Sequence, residues 1–195
     1  MKEKKKADKT MRILMLGNSF TTANHMPEML VDLTGAEVVV HARGGARLAE
    51  HLNPKTKMGK RTQEALTQEK WDYVVLQEMS NGPITAKARF LDSTRNLCEQ
   101  IRLNGAIPIL YATWAYQCGS EALKRLGMSY EEMYQEMIDA YRQAAEKTQA
   151  LLADVGTQFY KKADIEKLYA ADGCHPSKLG SEIAARKIAE NIRSM

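Results

Sequence analysis

Cysteine is scarce in this chain of 195 residues, which contains only Cys98, Cys118 and Cys174. Their number is odd and no C-x-x-C spacing occurs, so neither a disulfide framework nor a thiolate zinc site is indicated. Unpaired cysteines are typical of proteins from a reducing compartment. We therefore expect a cytoplasmic protein from the sequence as it stands.

Long apolar runs are also missing. No run approaches the roughly 20 apolar residues that a membrane-spanning helix needs. The stretch "MRILMLG" is short, contains Arg12 and leads directly into a motif, unlike the apolar core of a signal peptide. The sequence thus predicts no membrane span, and an exported form whose signal has been removed stays open.

Most of the chain has no excess of one charge sign. The formal net charge is +4, but five lysines stand against Glu3 and Asp8 in the first ten residues, which leaves 23 basic and 22 acidic residues from Met11 onward. No basic face with interleaved aromatic residues is visible, so we expect no nucleic-acid partner. Blocks of like charge usually stay disordered, and residues 1–10 are predicted to form a disordered basic tail.

The remaining composition, 44% hydrophobic and 27% charged, is that of an ordinary globular protein. The length predicts a single domain over residues 11–195. Apolar runs that suit buried strands alternate with amphipathic segments that suit helices. The predicted strands are 12–17, 36–42, 72–78, 106–113 and 150–156, and the predicted helices are 25–34, 60–69, 86–104, 129–149 and a last one from Pro176. This order predicts a three-layer α/β/α fold with a doubly wound, flavodoxin-like sheet of five parallel strands.

Residues able to do chemistry follow the predicted strands. In a doubly wound sheet, ligands bind at the carboxyl ends of the strands, so these residues should meet at one rim. They are Gly17-Asn18-Ser19-Phe20 after the first strand, Arg43-Gly44-Gly45 after the second, Gln77-Glu78 and Ser80-Asn81-Gly82 after the third, Thr113-Trp114 after the fourth, and Asp172 and His175 in "ADGCHP" before the last helix.

This set contains the parts of an acyl-transfer site. A serine hydroxyl such as that of Ser19 needs a base to take its proton, and the imidazole of His175 is the candidate. Asp172 lies three residues before His175, so a turn can bring its carboxylate to the imidazole and hold the correct tautomer. An oxyanion hole is the remaining requirement, and backbone N–H groups of Ser19 and Gly45 with one carboxamide would supply it.

The chain resembles the SGNH hydrolases, also called GDSL-type esterases and lipases. "MLGNSFT" is similar to the first block of that family, and "DGCHPSKLGSEIAA" is similar to its last block, D-x-x-H-P followed by a helix. The resemblance implies Ser19 as nucleophile, His175 as base and Asp172 as the acid that orients the base. It also implies Gly45, with Gly44 as the alternative, as the glycine of the second block.

The third block departs from the family pattern. "LQEMSNGP" replaces the usual G-x-N-D after the third strand. Asn81 has the better sequence offset for the oxyanion carboxamide. A branch of the superfamily that pairs G-N-S-[FY]-T with L-Q-E-x-S is similar over both motifs, however, and there we expect Gln77. Gln77 is slightly favoured, with Asn81 as the alternative.

The predicted function is a serine esterase that acts on small or carbohydrate-borne esters, in particular acetyl esters. The acetyl preference follows from the resemblance and from Trp114, which is either a sugar-stacking platform or a core residue. A thioesterase or short-chain lipase of the same fold is the neighbouring alternative, and a flavodoxin-like module that binds phosphate or FMN is the alternative from another class. No metal or organic cofactor is implied for the esterase, and the oligomeric state is open.

Overall fold

A computed structural model describes residues 10–163, 165 and 167–193, so nearly all of the predicted basic tail lies outside the described residues. Five strands form one sheet: β1 (Arg12–Gly17), β2 (Glu37–Ala42), β3 (Tyr73–Leu76), β4 (Ile107–Ala112) and β5 (Leu151–Asp154). Their spatial order is β2-β1-β3-β4-β5, and every neighbouring pair is parallel. The predicted doubly wound α/β fold is therefore confirmed.

Helices connect the strands and cover the sheet. They are α1 (Ser19–Thr22), α2 (Met26–Thr34), α3 (Leu48–His51), α4 (Lys57–Gln68), α5 (Gly82–Thr85), α6 (Lys87–Asn104), α7 (Glu121–Leu126), α8 (Tyr130–Thr148), α9 (Val155–Lys162) and α10 (Lys178–Arg193), with a 3-10 turn at Ala23–His25. Among the described residues, no helix is long and apolar enough to cross a membrane.

Alternate residues of the strands face two separate cores. In β1, Leu14 and Leu16 pack with residues of α3, α4, α6 and α8 on one side of the sheet. Ile13 and Met15 pack with residues of α1, α2, α9 and α10 on the other side. A strand that is buried on both faces needs an uninterrupted apolar run, which is why the runs in the sequence indicated parallel strands.

Several boundaries differ from the predicted ones. β5 ends at Asp154, whose carboxylate caps α9 by accepting the backbone N–H of Thr157 at 2.9 Å. Predicted strand 150–156 therefore extends too far. The last helix begins at Lys178 and not at Pro176, because Pro176 pairs with Tyr169 in an isolated β-bridge. The short helices α1, α3, α5, α7 and α9 were not predicted, since segments of four to eight residues carry little periodic signal.

Candidate active site

The loop after β1 presents Ser19 at the rim of the sheet. Asn18 has an extended backbone, and its side chain caps α1 by accepting the backbone N–H of Phe20 at 3.1 Å. The same side chain donates to the carbonyl of Ala46 at 3.0 Å, which ties this loop to the loop after β2. A β-carbon at position 17 would collide with the side chains of Thr21 and Gln77, so the tight entry into α1 requires Gly17.

The structure brings Ser19, His175 and Asp172 into one hydrogen-bonded row. Ser19 Oγ lies 2.9 Å from His175 Nε2, although 156 positions separate the two residues in the sequence. His175 Nδ1 lies 2.6 Å from Asp172 Oδ2. With Nδ1–H directed to the carboxylate, the lone pair of Nε2 faces the serine hydroxyl. This is the arrangement in which imidazole takes a proton from serine.

The turn that carries the histidine is built around Asp172. Its Oδ1 accepts the backbone N–H groups of Cys174 and His175, each at 2.9 Å. Partial burial acts to raise the pKa of Asp172, but these hydrogen bonds and the imidazole outweigh it and lower that pKa below its ordinary value. The carboxylate of Asp172 is thus ionised at neutral pH. Gly173 adopts a left-handed backbone, with φ of 68°, which closes the turn.

A small pocket opens beside the Ser19 hydroxyl. Its volume is about 170 Å³, and its walls include Ser19, Gly45, Met79, Ser80 and His175. Gly45 has φ of 68°, a conformation that favours glycine, and it brings backbone into the pocket wall. Within the described part of the chain, the backbone N–H groups of Ser19 and Gly45 donate to no other group.

Gln77 does not line the pocket. Its side chain is only 1% exposed. Its Oε1 accepts the backbone N–H of Asn18 and the hydroxyl of Thr21, both at 3.0 Å, and its Nε2 donates to the carbonyl of Glu78. The carboxamide is therefore engaged in holding the Ser19 loop against the end of β3.

Asn81, the alternative carboxamide, is also absent from the pocket wall. It occupies the position before α5, where its Oδ1 accepts the hydroxyl of Thr85 at 3.5 Å. The structure thus brings Ser19, His175, Asp172 and Gly45 together, and it brings neither predicted carboxamide into the pocket.

Trp114 is fully buried, with a relative exposure of 0%. Its ring stacks between Phe20 and Phe159, with centroid distances of 4.9 and 4.0 Å, so neither face is open to a sugar. Its Nε1 donates to the carbonyl of Cys174 at 3.0 Å. Of the two alternatives for Trp114, a sugar-stacking platform or a core residue, this placement is that of a core residue. Its hydrogen bond to Cys174 supports the turn that carries His175.

Two polar residues near the pocket were placed at the rim by the sequence but given no role in the site. Glu78 is 2% exposed, and its carboxylate accepts the backbone N–H groups of Met79 and Leu48 at 2.8 and 3.2 Å. Burial raises the pKa of Glu78. Ser80 lines the pocket, and its Oγ lies 2.7 Å from the hydroxyl of Tyr116. The third block "LQEMS" contains Glu78 and Ser80, but its spacing does not reveal which side chain faces the pocket.

Among residues 10–163, 165 and 167–193, no group of three or more His, Cys, Asp or Glu side chains could hold a metal ion. The polar side chains that line the pocket are those of Asn18, Ser19, Ser80 and His175.

Comparison with known proteins gives one family. The model of the GDSL-like lipase/acylhydrolase family matches residues 13–188. A solved protein from Slackia heliotrinireducens that is assigned to the SGNH hydrolases is 55% identical, with 94% of this chain and 100% of that chain covered and a TM-score of 0.91. A search of curated proteins gives no significant match.

More distant solved structures share the fold. A DUF4886 family protein from Bacteroides uniformis is 23% identical, with 96% of this chain and 84% of that chain covered and a TM-score of 0.69. A catalytic mutant of an acetylxylan esterase from Geobacillus stearothermophilus is 15% identical, with 94% of each chain covered and a TM-score of 0.66. The family model and the 55% identical structure each cover most of the chain, which therefore belongs to the GDSL-like lipase/acylhydrolase family of SGNH hydrolases.

Proposed function

We propose that this hydrolase cleaves carboxylic esters, in particular acetyl esters of small or carbohydrate alcohols, through an acyl-enzyme on Ser19. One observation carries the proposal: the row from Ser19 Oγ to His175 Nε2 and from His175 Nδ1 to Asp172, with distances of 2.9 and 2.6 Å. Serine is a weak nucleophile until such a base removes its proton.

The reaction follows from this row. Ser19 Oγ attacks the ester carbonyl carbon while its proton moves to His175 Nε2, and the carbonyl oxygen becomes an oxyanion. When the oxyanion re-forms the carbonyl, the bond to the alcohol oxygen breaks, and His175 returns the proton to that oxygen. A water molecule then repeats both steps on the acyl-enzyme and releases the acid. Asp172 stabilises the imidazolium that exists between the two proton transfers.

Backbone amides are the proposed core of the oxyanion hole. Ser19 and Gly45 line the same pocket, and their backbone N–H groups donate to no other described group. Donors that are already in place when charge develops on the oxygen stabilise the transition state more than the ground state. The glycine matters because a side chain would strain the left-handed backbone at position 45.

The size and polarity of the cavities support the proposed substrate class. A pocket of about 170 Å³ beside Ser19 matches the size of a short acyl group, which favours an acetyl esterase over a lipase. A second cleft of about 570 Å³ adjoins Asp172 and Cys174 and is lined by polar groups such as Gln117 and Ser120. Hydroxyl and amide groups of this kind suit a polyhydroxylated alcohol.

The alternative of a module that binds phosphate or FMN is not favoured. The family is one of lipases and acylhydrolases. The hydroxyl of Ser19 is paired with an imidazole and a carboxylate, and a carboxylate beside a phosphate would repel it. A purified protein without a flavin spectrum is the expected outcome.

Substitution of the nucleophile tests the proposal. Ser19→Ala should lower the hydrolysis of p-nitrophenyl acetate by about 10⁴-fold or more and abolish covalent labelling by a fluorophosphonate. Ser129→Ala removes a hydroxyl at the start of α8 that does not line the pocket, and it should retain both activities. Labelling that persists in Ser19→Ala would refute the assignment.

A further inference from the structure

Neither of the two carboxamides that the sequence predicted for the oxyanion hole lines the pocket. Gln77 is buried, and its carboxamide already bonds to Asn18, Thr21 and Glu78. Asn81 lies outside the pocket wall. The half-buried hydroxyl of Ser80 does line the pocket, together with Ser19, Gly45 and His175.

We propose that the Ser80 hydroxyl donates a hydrogen bond to the oxyanion, and that Tyr116 is the positioning residue that directs it. This inference rests on the proposed acyl-transfer function. It makes Ser80 a catalytic residue of the third block, in the place that the predicted carboxamide would otherwise take. Tyr116 acts only through Ser80.

The direction of the hydrogen bond between the two hydroxyls decides whether Ser80 has a proton to give. Their oxygens are 2.7 Å apart. Tyr116 is 7% exposed, and burial raises its pKa to about 12, so its hydroxyl stays protonated at working pH. When Tyr116 donates to Ser80 Oγ, the hydrogen of Ser80 is left to point elsewhere. A hydroxyl that accepts one hydrogen bond also becomes a better donor of its own.

The neighbouring sulfur groups compete weakly for that hydrogen. Ser80 Oγ lies 3.4 Å from Met79 Sδ, and a thioether is a poor acceptor. The thiol of Cys174 is close to both hydroxyls, and burial raises its pKa to about 11, so it carries no charge. An oxyanion that forms in the pocket is therefore the strongest acceptor within reach of Ser80.

Glu78 fixes the distance between the two loops that supply donors. It accepts the N–H of Met79 in the loop of Ser80 and the N–H of Leu48, three residues after Gly45. A β-carbon at Gly82 would lie 2.8 Å from Glu78 Oε1, so the chain turns closely around the carboxylate. Donors must be held in position before charge develops if they are to lower the barrier, and this clamp holds them.

Steady-state kinetics of three variants test the inference. Ser80→Ala should lower kcat for p-nitrophenyl acetate by about 10²-fold while KM changes by about two-fold or less, because the lost bond forms only in the transition state. Tyr116→Phe should lower kcat by about 10-fold, and the double variant should match Ser80→Ala, since Tyr116 acts through Ser80. The rate of fluorophosphonate labelling should fall in the same order.

A surface tyrosine provides a matched control for these variants. Tyr160→Phe removes the hydroxyl of a surface tyrosine and should leave kcat unchanged. A Ser80→Ala variant with wild-type kcat, a loss confined to KM, or a severe kcat defect in Asn81→Ala beside a mild one in Ser80→Ala overturns the inference alone. Activity that survives in Ser19→Ala, or a wild-type chain that is neither active nor labelled, overturns the proposed function and the inference together.

Discussion

Acid should destabilise the folded chain, because two imidazoles are buried on the side of the sheet opposite α1. His41 is 3% exposed and His51 is fully buried. The Nδ1 atoms of both lie next to the hydroxyl of Thr62, at 3.2 and 3.0 Å. One hydroxyl has one hydrogen, so it donates to one imidazole and accepts from the other. Two charged imidazoles could not share it in this way.

The surroundings favour the neutral form of both rings. Burial lowers the pKa of His41 to about 4, and Arg61 adds to this effect while Glu69 opposes it. Burial likewise lowers the pKa of His51 to about 4, with a further contribution from His41 and an opposing one from Glu50. The histidine pKa in an unfolded chain is about 6.5.

The sign and size of the effect follow from linkage. Between about pH 6.5 and pH 4, the unfolded chain binds protons at His41 and His51 that the folded chain does not bind. As the pH decreases through this range, the free energy of unfolding therefore decreases by up to about 1.4 kcal/mol per pH unit for each histidine. From pH 7 to pH 5 the loss is about 2 kcal/mol for each, or about 4 kcal/mol for the pair. The neutral His41 and His51 make their full contribution to the free energy of unfolding above about pH 6.5.

Urea unfolding of the wild type and of His51→Gln at pH 7, 6 and 5 measures this slope. Below pH 6.5, the free energy of unfolding of His51→Gln should change by about 1.4 kcal/mol per pH unit less than that of the wild type. His41→Gln provides a second measurement, at the other ring. Glu78, whose pKa is raised, opposes the trend equally in all variants and cancels in the difference. His25→Gln is the control, because that side chain is 88% exposed. Equal slopes in the wild type and both buried-histidine variants would refute the reasoning.

Two further predictions concern residues that position the nucleophile and the base. Asp172→Asn should lower kcat by about 10² to 10³-fold, because an amide can present a donor to His175 and stabilise the wrong tautomer; unchanged kinetics would mean that Asp172 only shapes the turn. Gln77→Ala removes the acceptor of the Asn18 N–H and the Thr21 hydroxyl, so the free energy of unfolding should fall by about 2 to 4 kcal/mol as measured by urea unfolding. A Gln77→Ala variant of full stability and with a purely kinetic defect would instead favour a direct oxyanion role.

Local patterns were sufficient for the order of elements. Residues 12–17 form β1 as predicted, because a buried parallel strand needs a continuous apolar run. α8 begins after Ser129, the first residue of the predicted helix 129–149, and Ser129 forms a capping box with Glu132. Both signals lie within a few residues of the feature that they predict, so no tertiary information was needed. The strand 150–156 was less well predicted, since Asp154 acts as a helix cap only once α9 exists.

The third block shows where the pattern was ambiguous. "LQEMSNGP" offers Gln77, Glu78, Ser80 and Asn81 within five positions. The side chain that enters the pocket depends on the exact end of β3 and on what the neighbouring loops require. In the structure, the carboxamide of Gln77 accepts the backbone N–H of Asn18 and the hydroxyl of Thr21. The hydroxyl of Ser80 contacts that of Tyr116, which lies 36 positions further along the chain. None of these pairings has a local signature.

The sequence by itself determined the alternation of strands and helices and the two motifs that hold Ser19 and His175, because these depend on periodicity and on residues that are neighbours in the chain. Only the tertiary structure decided that the two side chains meet at 2.9 Å, that Trp114 is packed between Phe20 and Phe159, and that Ser80 faces the pocket. Those facts depend on how the sheet and its helices pack, and contacts across 36 to 156 positions follow from the packing of the whole chain.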